Sequence, residues 1–145
     1  MSTIAIIIWA LSLKGIEMPV SYDQQLRLAW HESGCNPTAN RRGSQFYGLY
    51  QMSNTIDFSK LDSTIIVVPD TILNISRLPI TSPIYQYMRL CQIVKYIDHR
   101  YKCGGDMVMI FAIYGSGYNG YLKNKRLALL RAKWLLKDMY VPPMD

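Results

Sequence analysis

Apolar residues recur at helical spacing through both ends of the chain and gather into short β-branched runs in its middle. Ile4, Ile7, Ile8 and Leu11 fall on one face at that spacing. They predict a buried helix over residues 3 to 14, capped by Ser2 or Thr3 and ended by Gly15. Pro19 blocks its continuation. A second helix is predicted from Ser21, because Ser21 and Gln24 have capping-box spacing. Leu26, Ala29, Trp30 and Ser33 line one face of it, and Gly34 suits the left-handed position just past its end.

Residues 35 to 47 read as loop, with Asn36-Pro37, Asn40 and Gly43-Ser44. A further short helix is expected over 47 to 56. The segment LDSTIIVVPDTILNI, residues 61 to 75, has β-branched runs on both sides of Pro69-Asp70, which predicts a strand, a turn and a second strand. Asn74-Ile75-Ser76 has the form of a glycosylation acceptor, a triplet common by chance. A long helix follows from about Ile84 to Tyr101, with Met88, Cys91, Ile93 or Val94, and Ile97 inward. Gly104-Gly105 ends it and Asp106 caps the next, which carries Val108, Ile110, Phe111 and Ile113. The segment from Tyr114 to Tyr121 is aromatic and glycine-rich. It suits a cleft wall where backbone approaches a ligand, or else a turn between helices with exposed tyrosines. A last amphipathic helix spans 122 to 139, with Leu127, Leu130, Trp134 and Leu135 inward, and Pro142-Pro143 stops it. The pattern describes one domain over residues 1 to 145, of the α+β class, mostly α, with a small β element near residues 63 to 75.

Composition narrows this picture. The chain has 145 residues, half of them hydrophobic and 18% charged, which excludes extensive disorder. Its net charge is +6, which favours a polyanionic partner such as nucleic acid, an anionic membrane or a bacterial wall. The basic residues gather at Arg41-Arg42 and in the last helix, at Lys123, Lys125, Arg126, Arg131, Lys133 and Lys137. A solvated helix face accounts for the second group, and no nucleic-acid-binding motif is present. Three cysteines, Cys35, Cys91 and Cys103, cannot all pair within one chain. The first apolar run, Ile4 to Leu13, is too short to span a bilayer. It has neither a preceding basic residue nor a clear cleavage site, so a core helix is the simpler reading than a secretion signal.

One acid stands out. Glu32 falls in the last turn of the second helix, where the helix dipole disfavours a negative charge, with Trp30 and Tyr47 as apolar neighbours. Both effects raise a carboxyl pKa, as a general acid working near neutrality requires. The plainer alternative is a solvated glutamate at a helix end.

The residues after Glu32 weigh against that alternative. Glu32-Ser33-Gly34-Cys35-Asn36-Pro37, followed by Gly48-Leu49-Tyr50-Gln51, resembles the signature of soluble-type lytic transglycosylases of the goose-type, lysozyme-like superfamily. Ala112-Ile113-Tyr114-Gly115-Ser116-Gly117 is similar to that family's second signature, and Gln86 and Arg89 fall where a third motif would lie. The chain departs from the pattern at Cys35, which replaces an aromatic, at Tyr50, which replaces a methionine, and at Gly115 and Gln86, which replace asparagines. The resemblance implies a lysozyme-like fold and cleavage of the β-1,4 bond between N-acetylmuramic acid and N-acetylglucosamine in peptidoglycan. It implies Glu32 as the single catalytic residue, Ser33 orienting its carboxyl, and Gln51, Tyr114 and Tyr47 binding substrate. It implies no cofactor and no metal. The partners are glycan strands, with no nucleic acid and no stable membrane insertion. The setting is the bacterial cell envelope or a virion or secretion complex, and no clear signal peptide is seen.

A single glutamate is enough when the C6 hydroxyl of the muramic acid attacks its own anomeric carbon, giving a 1,6-anhydro end. Asp57, Asp62 or Asp70 holding a water would make the enzyme a hydrolase, so a muramidase stays open, as does a non-catalytic wall-binding protein. Three other readings are weaker. His31 and Cys35, with His99 and Cys103, have ligand-like spacing for zinc but not the usual two-residue cysteine spacing. A Cys35–His31 nucleophile pair has no orienting third group. A cationic membrane-active protein would act through the last helix.

Overall fold

The computed structural model describes residues 2–40 and 43–143. Arg41 and Arg42, one of the two basic clusters in the sequence, lie outside the described residues. The chain is mostly helical with one two-stranded hairpin among the described residues.

The first two helices follow the pattern that predicts them. Helix α1 (Thr3–Ser12) starts at Ser2, whose hydroxyl accepts from Ala5 N at 3.1 Å. It buries Ile4 and Leu11 and half-buries Ile7 and Ile8. Helix α2 (Tyr22–Ser33) has both halves of the capping box. Gln24 N donates to Ser21 Oγ at 3.1 Å, and Ser21 N donates to Gln24 Oε1 at 3.0 Å. Gly34 closes α2 in the left-handed region, with φ 64°.

The β element lies elsewhere than expected. Strands β1 (Phe46–Tyr47) and β2 (Met52–Ser53) pair antiparallel, with Tyr47 opposite Met52. They occupy the segment expected to be a short helix. The turn between them holds two left-handed residues, Gly48 at φ 81° and Gln51 at φ 49°, which no helix accommodates. The two strands expected within 61 to 75 are not formed. Helix α3 (Phe58–Thr64) starts instead at Asp57, whose carboxylate accepts from Ser59 N and Ser59 Oγ. A short 3₁₀ turn, Ile75–Arg77, follows the irregular segment after it. The run Ile65-Ile66-Val67-Val68 is β-prone, but among the described residues no strand lies beside it on which to pair. Strand propensity is decided by such context.

Helix α4 (Pro83–Tyr101) is the centre of the molecule. Every residue from Tyr85 to Val94 is buried. A helix buried all round must be covered on several sides, and α1, α3 and the 3₁₀ turn pack on it, as does α5 (Met107–Lys123). Asp106 caps α5 by accepting from Val108 N and Met109 N. The Tyr114–Tyr121 segment, expected as a cleft wall or a turn between helices, continues α5 through a kink at Gly117, where φ is 69° and ψ 159°. The break comes later, at Asn124, which caps α6 (Lys125–Lys133) by accepting from Leu127 N at 3.2 Å. A π-helical turn, Trp134–Asp138, extends α6.

Of the four residues expected inward on the last helix, only Leu135 is buried. Ala128, Ala132 and Leu135 are buried, while Leu127, Leu130 and Trp134 are exposed. The packing of α6 on α5 puts small side chains at the contact, and leucines would force the helices apart. Arg27 on α2 ties the end of the π turn down by donating to Met139 O at 2.8 Å.

Candidate functional site

The site is built on the four-residue turn Gly48–Gln51, which joins β1 to β2 and is held by side chains from three helices. From α4, Gln86 Oε1 accepts from Leu49 N at 2.7 Å, while its Nε2 donates to Pro37 O at 2.8 Å and Ile80 O at 2.9 Å. From α2, Ser33 Oγ lies 2.8 Å from Leu49 O and Gln25 accepts the Tyr50 hydroxyl at 2.6 Å. From α5, Tyr114 donates its hydroxyl to Tyr50 O at 2.7 Å. Gly48 is required here on two counts. Its φ is left-handed, and a Cβ would stand 2.6 Å from Gln86 Oε1.

This turn joins the end of α2 to Tyr114. Glu32, half-buried in the last turn of α2, lines a cavity of about 450 Å³ together with Tyr114. The Arg131 and Trp134 side chains close the same cavity from the α6 side, and His31 meets Trp134 edge-on at 6.0 Å between ring centres. Tyr114 also lines a second groove of about 610 Å³, walled by Phe46, Tyr96, Tyr101 and Tyr118. Tyr101 and Tyr118 stack face to face there, with ring centres 4.0 Å apart. Tyr114 is thus the wall shared by two adjacent depressions, one holding the acid and one lined with aromatic faces. Burial first, and then the Glu32 charge, hold the Tyr114 phenol well above its ordinary pKa, so it stays a neutral donor.

Of the residues singled out in the sequence, Glu32, Gln51 and Tyr114 are brought together around these two depressions. Gln51 Nε2 donates to Gly48 O at 2.9 Å and Ala39 O at 3.2 Å, and its buried Oε1 has no hydrogen-bond partner among the described residues. Ser33 does something other than orient the Glu32 carboxyl. Its oxygen bridges Ala29 O and Leu49 O and accepts from Asn36 N, so the hydroxyl ties the helix end to the turn. Tyr47 lines a separate depression beside Phe58 and Tyr85, and its phenol is still near enough to Tyr114 to help raise that group's pKa. Burial raises the Tyr47 pKa, partly offset by Arg89.

The aspartates divide in the same way. Asp62 accepts from Arg89 at 2.6 Å and from Gln92 at 2.9 Å, and lies with Asp70 in a depression apart from Glu32. Asp57 lines the aromatic groove while capping α3. The Ser59 hydroxyl holds its carboxyl below the ordinary range. The three cysteines are unpaired. Burial raises the Cys35 thiol and pushes Cys91 up to about 12, the wrong direction for a nucleophile. The described residues contain no group of three or more metal-ligating side chains.

Sequence reasoning missed Arg131 and Trp134 as walls of the Glu32 cavity and the aromatic partners of Tyr118. The signal for the aromatics was present in the density of tyrosines from Tyr96 to Tyr121. Compared with protein-family profiles, curated protein sequences and solved structures, the chain matches none.

Proposed function

We propose that this protein cleaves peptidoglycan glycan strands, with Glu32 as its one acid and base, as a lytic transglycosylase on a lysozyme-like fold. The observation that carries the reading is Tyr114, which lines both the cavity of Glu32 and the aromatic groove of Gln51 and is bonded to the Gly48–Gln51 turn. The aromatic groove suits the apolar faces of sugar rings, and the adjoining cavity presents the acid to the linkage between two of them.

The chemistry follows from having one acid. Protonated Glu32 donates to the glycosidic oxygen as the bond to the anomeric carbon breaks. The resulting carboxylate then takes the proton of the C6 hydroxyl of the same muramic acid, whose oxygen closes on the anomeric carbon. No water is consumed and the new end is a 1,6-anhydro sugar. Tyr114, neutral and fixed to Tyr50 O, keeps the acid and the groove in register. The net charge of +6 favours approach to an anionic wall, in a cell envelope or from a virion.

A second reading, hydrolysis, is favoured by Asp57, which lines the aromatic groove and can hold a water. Digestion of purified peptidoglycan with mass spectrometry of the products separates the two. Anhydro ends are the expected outcome, and reducing ends would establish the hydrolase. Glu32→Gln is expected to abolish release. Undiminished release by Glu32→Gln overturns both, and release by neither protein favours a non-catalytic wall-binding role.

A further inference from the structure

The outer face of α6 is exposed, and only Arg131 and Trp134 at its margin reach the Glu32 cavity. Leu127, Leu130 and Trp134, at positions i, i+3 and i+7, form one stripe on it, and they are 40%, 55% and 48% exposed. The stripe is edged by cations on both sides. Arg126, Lys133 and Lys137 follow at spacings of seven and four along one edge, and Arg131 lies along the other. All four are exposed, and none has an ion pair among the described residues. From Lys123 to Asp138 there are six basic residues and one acid.

We infer that this face docks on an anionic lipid bilayer, with α6 lying in the plane of the headgroups. A helix that shows leucine and tryptophan to the acyl boundary and lysine and arginine to the headgroups has the composition of an interfacial helix. The alternatives fit less well. A soluble polyanion would use the cations and leave the leucines in water. A second copy of the same face would bring twelve cations together against two acids. Among the described residues no helix is long and apolar enough to cross a membrane, so the contact is peripheral. Because Arg131 and Trp134 also wall the Glu32 cavity, docking sets that cavity beside the lipid surface. The inference stands apart from the proposed catalysis.

The test is sedimentation of the intact chain with vesicles of mixed phosphatidylglycerol and phosphatidylcholine, against phosphatidylcholine alone. Binding is expected to the anionic vesicles only and to weaken with salt. Arg126→Glu with Lys133→Glu and Lys137→Glu should lower the partition by at least roughly 100-fold. Leu127→Gln with Leu130→Gln, which keeps every charge, should lower it on the order of tenfold. Melting by circular dichroism checks that each variant is folded. No binding to anionic vesicles overturns the inference. So does a glutamine variant that binds them as tightly as the parent, because the attraction is then charge alone.

Discussion

Helices α4 and α6 invert the usual division of residues between inside and outside, in opposite senses. Helix α4 buries Gln86, Arg89 and Gln92, at i, i+3 and i+6, within ten successive buried residues. Helix α6 and its extension expose Leu127, Leu130 and Trp134 at almost the same spacing. The difference lies in what each set touches. Gln86 makes three hydrogen bonds, and Arg89 and Gln92 share Asp62. The Arg89 guanidinium, whose Nε has no hydrogen-bond partner among the described residues, lies 4.6 Å from the Phe58 ring centre and 5.0 Å from that of Tyr85. A buried polar group with its partners in place carries architecture. An exposed apolar group with solvent around it carries none, and the fold should survive its loss.

The largest effect is expected at Gln86. In Gln86→Leu the Leu49 N–H and the Pro37 and Ile80 carbonyls lose their partner together. At about 1–3 kcal/mol for each unsatisfied group, and less for carbonyls that reach water, the loss should be about 4 kcal/mol. For a chain of this length the melting temperature should fall by about 10–15 °C. Gly48→Ala strikes the same contact from the other side, since its Cβ would meet Gln86 Oε1. The double variant should therefore lose less than the sum of the two single losses, as groups in direct contact do. Additive losses would show that the turn and α4 are independent and would undo the first half of the comparison.

A smaller effect, about 2 kcal/mol, is expected for Asp62→Ala. It leaves Arg89 buried without its carboxylate and Gln92 Nε2 without its acceptor. Arg89→Met should cost less, about 1 kcal/mol. Methionine fills the space between the Phe58 and Tyr85 rings, and Asp62, 42% exposed, turns to water. The order of the two losses, read from urea unfolding midpoints, is the check. A costlier Arg89→Met would mean that the cation itself, rather than the pairing, holds α3 to α4.

The same contrast explains what was legible in the sequence. Local signals held. The Ser21–Gln24 box, Gly34 past α2 and Asp106 before α5 act within four residues, and short-range hydrogen bonds fix them. The hairpin was misplaced because what holds it is distant. Gln86 lies 37 residues from Leu49 and Tyr114 lies 64 from Tyr50, and no window of sequence contains such pairs. The face of α6 was misread at Leu127, Leu130 and Trp134, though not at Leu135, because hydrophobicity alone favours leucine over alanine for a core. Close helix packing favours the smaller side chain. At the site, Glu32 and Tyr114 could be singled out by chemistry. Ser33 could be singled out too, but not its partner, because a hydroxyl beside a carboxylate in sequence is free to turn to any acceptor near it.

A gain is expected where α4 ends. Lys102 closes the helix in the left-handed region, with φ 53°, and its side chain is exposed. Lys102→Gly removes the steric cost of a Cβ there and restores freedom to the unfolded chain, two effects of opposite sign. The net should be about 0.5 kcal/mol of stabilisation, visible as a rise of about 2 °C in melting temperature. A loss would mean that the aliphatic stem of Lys102 covers part of the core, and the strain at this helix end would then be the smaller term.

The smallest effect is expected on α6, and it tests the other half of the comparison. In Leu127→Gln with Leu130→Gln the helix propensity is nearly unchanged, because both residues are unbranched at Cβ and rank together. The remaining term is the apolar area each leucine hides, and both are largely in water already. The double substitution should therefore move stability by less than about 0.5 kcal/mol, within the ordinary range for surface positions. Ala128, Ala132 and Leu135 hold α6 to the rest of the molecule and are untouched. A loss above about 2 kcal/mol would require that the leucines be covered in the folded protein. The only cover available to a purified chain is another copy of itself, so the melting temperature would then rise with protein concentration. A small loss independent of concentration leaves the leucines as surface, spent on nothing inside the fold.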